Sequence, residues 1–127
     1  IIDRDFTSVA PDMEMGQLIH ALSSSRNDYI PVLNESGCLM GEIDITKLRH
    51  IIFRTELYHR FHVSQLMTPP AATLGVNDPM EDVMKTFERT GAQYLPVVNI
   101  EGELVGYISR AHLYSMYRQF VADFSAE

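Results

Sequence analysis

The sequence has one cysteine, few basic residues and no long apolar run, and each shortage excludes something. Cys38 stands alone, so the chain can form no internal disulfide and offers no cysteine cluster for zinc. Ten Lys and Arg face seventeen Asp and Glu, a formal net charge of -7. That is the wrong sign for a nucleic-acid or anionic-membrane surface, and no nucleic-acid partner is expected. No apolar stretch approaches the roughly 18 residues that a spanning helix needs. There is no signal peptide, and the chain opens at Ile1 without an initiator methionine. It is expected to be a segment of a longer protein. No Ser-His-Asp order or carboxylate pair stands out, so no catalytic residue is assigned.

What is present is an ordinary globular composition, 46% hydrophobic and 21% charged over 127 residues. That is enough for one domain or two small halves sharing a core. A shift of 65 residues aligns 15–48 with 80–113 without a gap, and ten pairs are identical: Met15/Met80, Tyr29/Tyr94, Pro31/Pro96, Val32/Val97, Asn34/Asn99, Gly37/Gly102, Leu39/Leu104, Gly41/Gly106, Ile43/Ile108 and Leu48/Leu113. Unrelated sequences would share roughly two in such a window. The matches fall at turn glycines and inward-facing apolar positions, where a shared backbone demands them.

Each repeat reads β-α-β-β-α. A short extended piece (Thr7-Ser8-Val9; Ala72-Thr73-Leu74) leads to a helix with apolar residues at i, i+3, i+4 and i+7. These are Met15, Leu18, Ile19 and Leu22 in one copy, and Met80, Val83, Met84 and Phe87 in the other. Pro79 opens the second of these helices and Gly91 closes it, while residues 23–27 close the first. A hairpin follows, and its second strand runs directly into another helix. Ser109 is the expected N-cap of that helix in repeat two and Asp44 in repeat one.

The predicted organisation is repeat one over 1–53, a packed connector over 54–66 and repeat two with a terminal helix over 67–127. Val63-Ser-Gln-Leu-Met67 should form one helical turn, with Leu57, Tyr58 and Phe61 packed. Leu113, Met116, Tyr117, Phe120, Val121 and Phe124 make an apolar stripe on the last helix, read as core or as a dimer seam. His59 and His62 with Glu56 have metal-like spacing, but no second shell supports them, and they read as a solvated surface group. Cys38 lacks a neighbouring base and reads as unreactive.

Two such repeats, each ending in h-P-V-V/L-N-x-x-G-x-L-h-G-x-I (h, an apolar residue), resemble a pair of CBS domains, a Bateman module. The resemblance implies an α+β fold, two tandem repeats packed as a pseudo-two-fold pair. It also implies a homodimer and a regulatory, non-enzymatic role in which AMP, ADP or ATP occupies the cleft between repeats. Ile52-Phe-Arg-Thr-Glu-Leu-Tyr58, Leu66-Met-Thr68 and Tyr117-Arg-Gln-Phe120 with Asp123-Phe124-Ser125 resemble the cytoplasmic tail of bacterial ClC-type chloride channels. That resemblance implies a module on the cytoplasmic side of the membrane, fused to a transmembrane channel portion. A structural dimerisation module with vestigial clefts is the competing reading. An accessory domain on a metabolic enzyme or cation transporter is a third.

The family's nucleotide motif, Gly-h-h-Thr/Ser-x-x-Asp, implies the site residues. A hydroxyl and backbone N–H groups at a helix start receive phosphate, and the Asp accepts from both ribose hydroxyls. Repeat two keeps Ser109 and adds Arg110, a forked donor for phosphate. It departs at the ribose position, where His112 stands. An imidazole cannot accept two hydroxyl protons, which costs about 1–3 kcal/mol and predicts weak binding. The base is expected against Asn27 and Asp28, with Tyr29 in the core. Repeat one carries Asp44 and Lys47 at these positions, and its cleft is expected to bind no phosphate.

Overall fold

The ten identities recur because the two halves use the same backbone, and the computed structural model shows how the halves join. It describes residues 1–25 and 27–125. Arg26, within the predicted helix stop at 23–27, and the last two residues of the predicted 67–127 unit lie outside the described residues. In chain order the elements are α1 (Met15–Leu22), β1 (Tyr29–Leu33), β2 (Leu39–Asp44), α2 (Val63–Leu66), β3 (Leu74–Gly75), α3 (Met80–Thr90), β4 (Tyr94–Val98), β5 (Leu104–Ser109) and α4 (Arg110–Ser125), with 3-10 turns at Ile45–Leu48 and Thr55–Leu57.

The predicted α+β repeats are present. Both hairpins are antiparallel, and each carries a register shift at the equivalent place, Val32/Leu33 and Val97/Val98. Gly37 and Gly102 turn them with φ of 82° and 84°, a left-handed conformation that favours glycine. Gly91, at φ 68°, ends α3 as predicted. One expected helix is shorter than its counterpart. After β2 the chain makes only the four-residue 3-10 turn Ile45–Leu48, whereas α4 runs for 16 residues after β5.

Two cores form, and six of the seven buried residues in each are repeat equivalents: Val9/Leu74, Leu18/Val83, Ile30/Leu95, Val32/Val97, Ile43/Ile108 and Leu48/Leu113. The seventh differs. Phe87 fills the second core from its own helix, while Val63 of α2 completes the first. The connector therefore packs against the first repeat. Leu57 is buried, and backbone bonds from Val63 to Met13, Ser64 to Pro11 and Met15 to Phe61 tie the connector to the start of α1.

The halves are interleaved. Val9 pairs in parallel with Val32 of its own hairpin, yet Asp3 pairs with Tyr107 of the other repeat. The symmetric event is Thr68 pairing with Glu42, while Leu74 pairs with Val97. Each opening segment thus starts on the partner repeat's sheet and crosses to its own, covering an edge of each. At the hairpin tips Cys38 pairs with its own equivalent, Glu103, flanked by the bonds Leu39 N–H to Gly102 O and Leu104 N–H to Gly37 O, 3.1 and 3.0 Å. These pairings surround a pseudo-two-fold axis.

The crossing explains one identity that turn chemistry does not. A Cβ on Gly106 would run into the Asp3 carbonyl oxygen and lie 2.7 Å from Ile2 Cγ2. A Cβ on Gly41 would meet Met67 Sδ and Thr68 O at 3.1 Å. Gly106→Ala must push a paired backbone aside and is expected to lower unfolding free energy by about 1–3 kcal/mol in urea denaturation. Gly41→Ala should cost less, because the flexible Met67 side chain can give way. Equal stability of Gly106→Ala and wild type would show that the crossing is not tight.

Candidate functional site

The predicted anion site lies where β5 hands over to α4. Ser109 ends the strand, and its Oγ accepts the His112 N–H at 3.1 Å, the expected cap. The Arg110 N–H is also engaged, donating to Gln93 O at 2.8 Å. The Arg110 side chain turns away. Its Nη1 donates to Phe87 O at 3.0 Å, and its guanidinium lies 5.2 Å from the centroid of the Tyr114 ring. Two first-turn N–H groups and the nearest guanidinium are therefore committed inside the protein.

Beside this junction is a cavity of about 320 Å³ lined by Ile1, Asp3, Asn27, Tyr94, Tyr107, Ser109 and His112. A narrow polar recess adjoins it, sharing Asn27 and Tyr107 and lined also by Asp5, Phe6, Thr7, Ser24, Ser25 and Tyr29. Of the residues singled out in the sequence, Asn27, Ser109 and His112 converge on the cavity. Arg110 does not line it. Neither does Asp28, which is exposed and whose carbonyl accepts the Ile45 N–H at 2.9 Å. Tyr29 was expected in the core but is half-buried and faces the recess, because the apolar interior of β1 is already supplied by Ile30 and Val32. Sequence reasoning missed Asp3 and Tyr107. Extending the 65-residue register back to Asp3/Thr68 and reading Tyr107 against Glu42 would have flagged both.

Tyr107 and Glu42 are repeat equivalents, and they touch. The Tyr107 hydroxyl donates to Glu42 Oε2 at 2.8 Å. Both residues are buried, at 3% and 6% exposure. Burial pushes the Glu42 carboxyl above its usual range and Asp44 adds to the rise, while the Tyr107 hydrogen bond pulls it down. The Tyr107 phenol is pushed up, first by burial and then by the Glu42 charge.

The equivalent cleft of repeat one is acidic. The Tyr29 phenol is pushed up by burial, then by Asp44, Glu42 and Asp28. The Asp44 Oδ1 caps the 3-10 turn by accepting from Thr46 N and Thr46 Oγ1, at 3.0 and 2.6 Å. A phosphate entering there would meet carboxylates in place of the free N–H groups and Ser109 hydroxyl of the motif.

His59 Nδ1 lies 3.1 Å from Glu14 Oε2, His62 caps α2, and no cluster of three ligating side chains occurs among the described residues. Cys38 is partly exposed, and its Sγ donates to Glu101 O at 3.4 Å.

A family model described as CBS domain matches residues 1–54 and 63–118. Among curated proteins, a homoserine O-acetyltransferase from Methanococcus vannielii is 22% identical over 113 residues, which cover 89% of this chain and 23% of that protein. The chain spans 23–28% of the length of the curated relatives it matches. Among solved structures, CBSX2 in complex with AMP is similar with a TM-score of 0.73 at 20% identity, over 94% of this chain and 92% of that one. The CBS domain of a bacterial CNNM/CorC family Mg2+ transporter in complex with ATP is similar with a TM-score of 0.75 at 17% identity, over 90% and 81%. At these identities the likeness is one of fold. The chloride-channel resemblance of the connector and tail finds no support in them.

The buried Glu42–Tyr107 contact carries a signed pH dependence. The folded protein holds the Glu42 proton more tightly than the unfolded chain does. Its contribution to stability is therefore complete below the ordinary glutamate value and is lost as pH rises through the raised folded value. Glu42→Gln keeps an acceptor for Tyr107 and should remove this component, making the variant more stable than wild type at neutral pH. Tyr107→Phe leaves a buried carboxylate without its donor and should cost about 1–3 kcal/mol while steepening the loss with pH. Thermal melts of the three proteins from pH 4 to 8 check both signs (a range set about the reference glutamate value).

Proposed function

The chain belongs to the CBS domain family, and from that premise we propose that it is the regulatory module of a membrane transport protein, binding an adenine nucleotide weakly in the cleft lined by Asn27, Tyr107, Ser109 and His112. The observation that carries this reading is the convergence of residues from both repeats on one cavity. The similar structures in complex with AMP and ATP support the nucleotide reading. The Mg2+ transporter relative favours a cation transporter as the host. A ClC-type chloride channel is the finer alternative and rests on the connector and tail segments. In either host the module sits on the cytoplasmic side of the membrane, joined to a transmembrane portion of the same polypeptide.

Isothermal titration with AMP, ADP and ATP tests the sensor. The expected dissociation constants lie between about 0.1 and 1 mM, reflecting the missing ribose carboxylate at position 112 and the committed Arg110. Nothing tighter than millimolar for any of the three would remove nucleotide sensing.

A second reading, a structural dimerisation module, is favoured by a separate observation. The apolar stripe of α4 does not enter the core beyond Leu113. Met116, Tyr117, Phe120, Val121 and Phe124 are all exposed, Phe120 at 69% and Phe124 at 72%. Together with Met80 and Met84 of α3, Leu113, Met116, Tyr117 and Phe120 line an apolar groove of about 470 Å³. We read this face as the homodimer seam; an exposed patch of this kind marks an interaction site. Phe120→Asp is expected to give monomers in sedimentation velocity with an unchanged far-UV spectrum. A dimer that survives the substitution would move the seam elsewhere.

A further inference from the structure

We propose that the cleft selects an uncharged nucleoside over a nucleoside polyphosphate, and that Asp3 is the carboxylate that receives the ligand's vicinal diol. This deepens the adenine-ligand reading of the same cavity and rests on it.

Among the described residues that line the cavity Asp3 is the one acidic residue, beside Asn27, Ser109, His112 and two tyrosines. Asp3 is held there by the strand crossing. Its N–H and C=O both pair with Tyr107, at 2.8 and 2.9 Å, and its Oδ1 accepts the Asp5 N–H at 2.9 Å, which orients the carboxylate. A carboxylate accepts from two neighbouring hydroxyls at once, the task that an imidazole at position 112 cannot perform. The crossing thus returns from the chain's opening segment the group that the α4 junction lacks.

The surroundings disfavour added phosphates. The Arg110 guanidinium is held by Phe87 O and the Tyr114 ring, and the Arg110 and His112 N–H groups are bonded to Gln93 O and Ser109 Oγ. Two of the donors that make a helix N-terminus an anion site are thus committed. Asp3, which lines the cavity, adds negative charge there. The volume of about 320 Å³ also stands at the small end of ligand pockets, which suits a nucleoside without a phosphate chain.

Titration of the whole chain with adenosine, 2′-deoxyadenosine, AMP and ATP, each followed by calorimetry, tests the proposal. Adenosine should bind more tightly than ATP, and loss of the 2′-hydroxyl should weaken it about tenfold. Asp3→Asn should weaken adenosine by a similar factor while narrowing the gap to ATP. ATP binding tenfold tighter than adenosine would overturn the charge selection. Equal affinity for adenosine and 2′-deoxyadenosine in the wild-type protein would overturn the diol contact, with no variant needed. Absence of binding by all four would overturn both this proposal and the adenine-ligand reading.

Discussion

The hydrogen bond from the Tyr107 hydroxyl to the Glu42 carboxylate joins two side chains that hold the same position in their repeats. Only residues beside a two-fold axis can meet their own equivalents, so the contact marks the pseudo-axis. The Cys38–Glu103 pairing at the hairpin tips marks it again. Around these points each repeat lends its opening segment to the other's sheet, Asp3 to Tyr107 and Thr68 to Glu42. Neither half has its full set of edge partners alone, so the two are expected to fold as one unit.

The axis also sets the character of the clefts. A perfect repeat would place two tyrosines or two glutamates face to face. Here one of each meets, and the phenol satisfies the buried carboxylate. The asymmetry continues outward along β2 and β5. On one side Asp44 caps a single 3-10 turn and the environment is acidic. On the other, Ser109 caps a long helix beside a cavity with mixed polar groups. The same backbone thus carries one acidic cleft and one with a mixed polar lining whose neighbouring Arg110 side chain is turned elsewhere.

Much of this was legible in the sequence because it is local. The turn glycines, the helix spacing, the Ser109 and Asp44 caps and the Gly91 stop all depend on residues within a few positions of one another. The six equivalent pairs in the two cores follow from the same periodicity. The short 3-10 turn after β2 was not legible, since Ile45, Leu48 and Ile51 keep apolar spacing past the point where the helix ends. The crossing of the opening segments was hidden for a different reason. Two paired residues in one opening segment and three in the other leave no pattern, and the glycines that make room for them also read as ordinary repeat identities.

For the site, the sequence determined the residue types at the strand-to-helix junction and hence that a ribose carboxylate is missing there. Tertiary structure decided where those residues point. Arg110 is drawn to the Phe87 carbonyl and Asp28 is left outside, while Tyr107 and Asp3 are brought together at the cleft by their pairing between repeats. Chemistry that depends on one residue's identity can be read along the chain. Chemistry that depends on two residues 65 or more apart meeting at an axis can be read only once the backbone has brought them together.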